Sequence, residues 1–133
     1  MVKIAIDAGH GLNTPGKRTP DNEREWSFNN KVALACIAKL NTYQNVQTLR
    51  LDDPTGKTDV PLKTRTDKAN SWNADALVSC HHNAYLGKWG THGGVETITQ
   101  TVSQKAPVDI AKEIGSGAGR EGEDLGGARI VHK

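Results

Sequence analysis

The chain has 133 residues, 17 of them basic and 15 acidic, and its formal net charge is +2 at neutral pH. That length suits one domain with an ordinary hydrophobic core. Basic and acidic residues are nearly balanced, and the sequence has no basic run of the kind that binds nucleic acid. It also has no apolar window that is long enough for a membrane span. We therefore expect neither a nucleic-acid partner nor membrane insertion.

The amino terminus, MVKIAIDAGHG, reads as a short β-branched strand followed by a glycine loop. A secretory signal needs a longer apolar region and a small-residue cleavage site, and this segment has neither. We therefore expect synthesis in the cytoplasm without a signal peptide; the alternative is a chain that lacks its leader. For a leaderless chain, Cys36 and Cys80 are expected to be buried free thiols rather than a disulfide.

The first predicted elements are a strand, a long helix and a second strand. The β-branched residues at positions 2–6 indicate the first strand. A spacing of three or four residues between inward positions predicts a helix from Glu23 to about Tyr43. Those positions are Asn29, Val32, Ala33, Cys36, Ile37 and Leu40. A second strand over 46–51 ends at DDPTG, a turn that contains proline and glycine.

The remaining elements continue this alternation. The segment from Pro61 to Trp72 predicts a second helix, with proline in its first turn and with Leu62, Ala69 and Trp72 on one side. The apolar run from Ala76 to Cys80 indicates a strand that is buried on both faces. We also expect a strand over 94–102, a short helix over 108–114, a glycine-rich loop over 115–127 and another strand from Ile130.

This order of elements predicts an α/β fold, with a mixed, mostly parallel twisted sheet and helices on both faces in a single domain. Functional groups in such folds gather beyond the carboxyl ends of the strands. His10 follows the first strand, and His81 and His82 follow the third. Glu25 lies in the first turn of a helix that begins at the same edge. Because successive side chains of a strand point to opposite faces, only one of the adjacent histidines can face a shared site.

His10, Glu25 and His81 are therefore candidates for one metal site. Two neutral imidazoles and one carboxylate would leave zinc with a net positive charge and a fourth position for water. Zinc polarises carbonyl groups and lowers the pKa of water to about 7, and amide hydrolysis requires both effects. Asp7 or a backbone carbonyl could orient a ligating ring.

Each of these residues also has a purely structural interpretation. Glu25 lies three residues after Asn22, where it could complete a capping box at the start of the helix. His10 lies between glycines and could be a turn residue, and His82 could be an exposed loop residue. Spacing alone leaves these alternatives open.

Five separated segments resemble the zinc-dependent N-acetylmuramoyl-L-alanine amidases of the amidase-3 family, in order and in spacing. They are IDAGHG, EWSFNNKVA, LKTRTDKAN, ADALVSCHHNA and GGVET, and the resemblance runs from residue 2 to about residue 99. It implies that zinc is bound by His10, Glu25 and His81, while His82 occupies the variable position of its motif. It also implies hydrolysis of the amide between N-acetylmuramic acid and L-alanine in bacterial cell-wall peptidoglycan. For a chain without a visible leader, a phage endolysin or a sporulation autolysin fits better than an ordinary secreted enzyme. We expect the protein to be a monomer.

The end of the chain departs from the family pattern. Family members continue with a strand that carries a second, catalytic glutamate and with a closing helix, whereas this chain ends at LGGARIVHK. We therefore expect residues 1–133 to form an amidase-3-like catalytic domain without that strand and helix, and we assign no catalytic base. Glu96, in GGVET, could approach the same edge of the sheet, although a strand residue of this kind is more often structural.

Two other functions compete with an active amidase. The first is a catalytically impaired, zinc-containing module that binds peptidoglycan. The second is a nucleotide-binding protein that uses DAGHG as a phosphate loop, which we disfavour because neither G-x-G-x-x-G nor G-x-x-x-x-G-K-[ST] occurs in the chain.

Overall fold

The residues that the structure describes are built on a four-stranded sheet. The structure, a computed structural model, describes residues 1–83, 87–91 and, as backbone, 128–129. Its elements in chain order are β1 (Val2–Ala8), α1 (Glu25–Leu40), β2 (Val46–Arg50), α2 (Leu62–Ser71), β3 (Ala76–Cys80) and β4 (Ala128–Arg129). Neither helix in this part of the chain is long and apolar enough to cross a membrane.

The strands are arranged in the order β2-β1-β3-β4, so β1 and β3 are neighbours at the centre of the sheet. β1 is parallel to β2 and to β3, whereas β4 is antiparallel to β3. The register pairs Ala8 with Cys80, so β1 and β3 end side by side. The loops that carry His10 and His81 therefore leave the sheet at adjacent points.

The sheet has a hydrophobic cluster on each face. On one face Ile6, Ala8 and Cys80 pack with residues of α1, including Ala33. On the other face Ala5 packs with Leu51 of the β2 end and with Ala69 of α2. Alternate side chains of β1 thus belong to different clusters. The predicted fold class is confirmed: the sheet is mixed and mostly parallel, and helices cover both of its faces.

β3 spans the predicted residues, and its neighbouring side chains serve both clusters, as expected for a strand covered on two sides. Leu77 packs against the α2 cluster, and Val78 packs against the α1 cluster. Cys36 and Cys80 are free cysteines, as predicted, although Cys36 is only half-buried. β1 continues to Ala8, beyond the predicted end, because its pairing with β3 extends to Cys80.

α1 begins later and ends earlier than predicted. The residue before it, Arg24, has an extended backbone and forms an isolated β-bridge with Arg18. This bridge holds the preceding residues in a turn, so the helix cannot include Glu23. At the other end the chain leaves the helix after Leu40 through consecutive turns. Trp26, which the predicted inward stripe omits, is buried in the α1 cluster.

The predicted inward face of α2 is partly wrong. Leu62 is 75% exposed, whereas Arg65 and Ala69 are buried. Arg65 faces inward because the carboxylate of Asp7 lies beneath the helix and pairs with its guanidinium group. The inward face of α2 therefore buries the ion-paired Arg65, whereas the apolar spacing predicts that it buries Leu62.

The predicted elements over 94–102, 108–114 and 115–127 lie outside the described residues, as does Glu96. β4 lies immediately before Ile130, at which the last strand was predicted to start. Ile130 and Val131 themselves are also outside the described part of the chain.

Candidate metal centre

His10 lies in the β1–α1 loop, two residues beyond the end of β1. Its backbone φ is 66°, in the left-handed region that residues with a Cβ atom rarely adopt. Gly9 precedes it, and the N–H of Gly9 donates to the carbonyl of Cys80 at 2.9 Å. A Cβ atom on Gly9 would overlap the ring of His81. Glycine is therefore required in DAGHG because the His81 ring occupies the space of a side chain.

Arg65 holds the backbone of this loop from the α2 side. Its guanidinium group donates to the carbonyls of Ala8 at 2.8 Å and of His10 at 3.1 Å, and it pairs with Asp7 and Asp59. These bonds stabilise the unusual backbone of His10. Asp7, which the sequence suggested as a partner for a ligating ring, contacts Arg65 and the hydroxyl of Ser79 instead. The suggestion of Asp7 is therefore wrong, and its alternative, a backbone carbonyl, stays a prediction.

Glu25 is the first residue of α1, and its carboxylate lies between the two histidine rings. Oε2 is 3.5 Å from Nε2 of His10, and Oε1 is 3.2 Å from Nδ1 of His81. The capping-box interpretation is wrong, because the N-cap is Arg24 rather than Asn22. A carboxylate in the first turn is also favoured by the helix dipole.

The two adjacent histidines point to different partners, as strand alternation predicts. The ring of His81 meets that of His10 edge to face, with centroids 4.8 Å apart. His82 instead places its Nδ1 atom 2.7 Å from Oδ1 of Asn29, and its ring is tilted against Phe28. His82 is half-buried, so its interpretation as an exposed loop residue is wrong.

The structure thus brings His10, Glu25 and His81 together, with one possible ligand atom from each within 4.8 Å of the others. Their side chains are 20%, 12% and 25% exposed, respectively, so a small ligand can reach them from solvent. Two imidazoles and a carboxylate are donors that zinc accepts in open catalytic sites. The residues therefore fit a zinc ion, and binding itself stays a prediction.

The ionisation of the cluster also suits a cation. Burial lowers the pKa of His10, and this effect, together with His81 and Lys17, outweighs the opposite influence of the Glu25 carboxylate. Burial raises the pKa of Glu25, but hydrogen bonds from His81, Asn29 and the His82 backbone, with His10 nearby, bring it below its ordinary value. At neutral pH the cluster therefore offers a neutral His10 ring and an ionised Glu25.

Asn29 is a site residue whose role the sequence reasoning missed. It is fully buried, and its amide donates to the carbonyl of Gly9 at 3.0 Å and to Glu25 Oε1 at 3.4 Å. The sequence places it in the inward stripe of α1, where the other positions carry apolar or thiol side chains. A lone amide in such a stripe, one turn after Glu25, was the available signal.

A groove of about 510 Å³ lies between the β1–α1 loop and Gly87. The loop residues that line it are Gly16, Arg18, Thr19, Pro20 and Asn22. The N–H of Glu25 donates to the carbonyl of Lys17 at 3.1 Å, so this loop is directly attached to the histidine–glutamate cluster. A ligand in the groove would lie against the loop that precedes α1, the helix that begins at Glu25.

Comparison with known proteins gives concordant matches. The family model described as N-acetylmuramoyl-L-alanine amidase matches residues 4–125. A relative from Bacillus licheniformis, N-acetylmuramoyl-L-alanine amidase CwlM, is 42% identical over 87 residues, which cover 63% of this chain and 32% of the relative. A sporulation-specific N-acetylmuramoyl-L-alanine amidase from Bacillus subtilis (strain 168) is 40% identical over 85 residues, with the same coverage. The chain thus spans about a third of the length of these relatives.

Solved structures show the same architecture. An N-acetylmuramoyl-L-alanine amidase from Clostridium difficile 630 aligns with a TM-score of 0.77 and 26% identity, over 99% of this chain and 69% of that chain. The catalytic domain of CwlV, an N-acetylmuramoyl-L-alanine amidase from Bacillus (Paenibacillus) polymyxa var. colistinus, aligns with a TM-score of 0.75 and 21% identity, over 98% of this chain and 79% of that chain. At that identity, the likeness to CwlV shows the fold alone.

Proposed function

Because the chain belongs to the N-acetylmuramoyl-L-alanine amidase family, we propose that it hydrolyses the amide between N-acetylmuramic acid and L-alanine in peptidoglycan. Hydrolysis adds water across this bond, which leaves a carboxylate on the lactyl group and a free α-amino group on alanine. The observation that carries the proposal is the cluster of His10, Glu25 and His81 at the carboxyl edge of the sheet, within reach of solvent.

We also propose that the metal is zinc and that these three side chains bind it. When bound, zinc supplies a Lewis acid that polarises a carbonyl and lowers the pKa of water to about 7. The nitrogen and carboxylate donors, the neutral His10 ring and the ionised Glu25 support this assignment.

The other residues of the centre position these donors. Arg65 holds the backbone of His10, and the N–H of His82 donates to the carboxylate of Glu25 at 3.2 Å. General acid–base catalysis needs a further group for proton transfer, and we assign none from the described residues. Glu96 stays a candidate from the sequence.

In biological terms, we propose an endolysin of a phage or a sporulation autolysin that acts on the bacterial cell wall as a monomer. The sporulation-specific relative from Bacillus subtilis supports the second of these types. We further propose that residues 1–133 correspond to the amidase-3-like catalytic domain.

The experiment that tests the activity measures alanine α-amino groups released from purified peptidoglycan by zinc-loaded protein. We expect release that a chelator abolishes and that added zinc restores. The matched control is His81→Ala, which should release none. Stoichiometric zinc binding without any release would instead favour the alternative function, a peptidoglycan-binding module with impaired catalysis.

The assignment of His81 rather than His82 is tested by measuring bound zinc in both alanine variants. His81→Ala should lose its zinc, because one of three donors is removed. His82→Ala should reach full occupancy when zinc is saturating, since its ring contacts Asn29 and Phe28. Equal loss of zinc in the two variants, or loss in His82→Ala alone, would contradict the assignment.

A further inference from the structure

We propose that Asn29 is a positioning residue of the metal centre, which holds Glu25 in place and couples it to His82. The inference rests on the proposed zinc site and goes beyond it, because it assigns a role to two residues outside the ligand set. The amide of Asn29 is 0% exposed and contacts three segments that converge at the centre.

The orientation of this amide follows from the chemistry of its neighbours. The nitrogen lies against the carbonyl of Gly9 and the carboxylate of Glu25, and both of these groups can only accept hydrogen bonds. The inverted amide would place its oxygen against two acceptors. The amide oxygen therefore faces His82, and Nδ1 of His82 must carry the hydrogen that it donates at 2.7 Å.

Each partner of the amide lies at or beside a proposed ligand. Gly9 precedes His10, Glu25 is itself a ligand, and His82 follows His81. One side chain thus connects the end of β1, the start of α1 and the end of β3. Because Asn29 is fully buried, water cannot replace these bonds when they are lost.

A purely structural role for this amide is a poor explanation of the contacts. The neighbouring inward positions Val32 and Ala33 pack against the sheet without any polar group. An apolar side chain of similar size would fill the same space, and burying an amide in its place costs free energy unless the amide is hydrogen-bonded. The hydrogen-bond partners of Asn29 in the described part of the chain are Gly9, Glu25 and His82, which all lie at or beside the candidate centre, so the benefit of the amide is local to that centre.

The first test replaces Asn29 and measures zinc affinity by competition with a chelator, together with the urea unfolding of the metal-free protein. Asn29→Leu removes all three bonds but retains bulk, and Asn29→Asp places a second carboxylate against Glu25. We expect both variants to bind zinc about 10- to 100-fold more weakly, the usual cost of losing a partner that orients a ligand.

The matched control is Asn30→Ala, a change at the next residue of the same helix. Oδ1 of Asn30 accepts a hydrogen bond from Arg50 of β2 at 2.5 Å, and neither residue belongs to the proposed ligand set. Its loss should lower the stability of the metal-free protein while zinc affinity stays within about twofold of wild type. If Asn30→Ala weakened zinc binding as much as Asn29→Leu, general destabilisation would explain the effect and the proposal would be overturned.

The second test couples Asn29 to His82 in a double-mutant cycle. His82 is half-buried, so His82→Ala should fold even if the Asn29 variants do not. We expect His82→Ala to weaken zinc binding about three- to tenfold, and the double variant with Asn29→Leu to bind within about twofold of Asn29→Leu alone. If the fold-loss of zinc affinity in the double variant equalled the product of the losses in the two single variants, the coupling would be overturned.

The outcomes separate this inference from the proposed function. If wild type binds zinc and Asn29→Leu binds it equally well, Asn29 has no positioning role, and the zinc site stands. If the Asn29 variants do not fold, the His82→Ala variant alone decides. Unchanged zinc affinity in His82→Ala then overturns the proposal. Failure of wild type to bind zinc would remove both.

Discussion

At the scale of single residues, Glu25 connects the candidate centre, because its two carboxylate oxygens face different histidines. Oε1 also receives the backbone N–H of His82 and the amide of Asn29. A charged carboxylate with several donors is a strong ligand and a poor base, since these contacts favour the ionised form.

Glu25→Gln should therefore abolish high-affinity zinc binding without unfolding the protein. Glutamine retains an oxygen that can accept from the His82 N–H, but it lacks the negative charge that a zinc ion requires. Loss of a residue that only orients a ligand lowers metal affinity about 10- to 100-fold. Because Glu25 is itself a proposed ligand, we expect Glu25→Gln to lower zinc affinity by more than this. Isothermal titration with zinc is the measurement, with the exposed Glu23→Gln as the control. Full zinc occupancy of Glu25→Gln at neutral pH would contradict a ligand role.

The lowered pKa of His10 predicts how metal-free stability depends on pH. Between its folded-state pKa and the ordinary value of 6.5, the unfolded chain binds a proton that the folded chain does not. Stability is therefore fully present above 6.5 and is lost as the pH falls through that window. Glu25 adds a loss in the same direction below its ordinary value of 4.5.

The measurement is urea unfolding of the metal-free protein across this pH range. His10→Gln should flatten the decline in unfolding free energy just below pH 6.5, because the titrating ring is removed. The decline near the ordinary Glu25 pKa should persist in that variant. An identical pH dependence in wild type and His10→Gln would show that His10 does not contribute.

At the scale of elements, α2 acts on the centre from the opposite face of the sheet. Through Arg65 it binds the carbonyls of Ala8 and His10, and the same guanidinium neutralises Asp7 on β1. The β1–α1 loop is thus held between two helices, with Glu25 of α1 on one side and Arg65 of α2 on the other.

Arg65→Met should destabilise the protein by about 3–5 kcal/mol, because removal of one partner leaves a buried charge uncompensated. Urea unfolding measures the loss. Lys63→Met is the matched control on the same helix: Lys63 pairs with Asp67 at 2.6 Å, but both side chains are largely exposed. Exposed pairs contribute little, so this variant should be nearly as stable as wild type. Similar losses in both variants would contradict the importance of the buried pair.

At the scale of the whole molecule, the sheet places the proposed ligands at one edge and leaves the proton-transferring group unassigned. The sequence offers Glu96 as one candidate for that task, although a strand residue of this kind is more often structural, and the family resemblance implies a glutamate on a further strand as another. A general acid or base contributes about 10²- to 10⁴-fold to the rate.

If Glu96 supplies the general acid or base, we expect Glu96→Gln to hydrolyse peptidoglycan more slowly, by up to the roughly 10²- to 10⁴-fold that such a group contributes. The variant should bind zinc as wild type does, because Glu96 is outside the proposed ligand set. The measurement is the release of alanine α-amino groups from purified peptidoglycan by zinc-loaded protein. An unchanged rate in Glu96→Gln would exclude this residue as the acid or base.

Sequence by itself determined the order of elements from β1 to β3 and the edge of the sheet at which His10, Glu25 and His81 lie. Apolar periodicity identifies strands and helices locally, and parallel strands bring their carboxyl ends to one side. It also predicted that His81 and His82 diverge, because side chains alternate along a strand.

Only the tertiary structure decided which polar groups are buried and with whom they pair. Arg65 meets Asp7 across 58 residues of chain, and His82 meets Asn29 across 53. Such partners leave no local pattern, so a periodic stripe assigns Leu62 to the interior in place of Arg65 and treats Asn29 as ordinary core. These buried polar groups are stable because segments far apart in the sequence satisfy their hydrogen bonds. Such contacts form only when the chain folds.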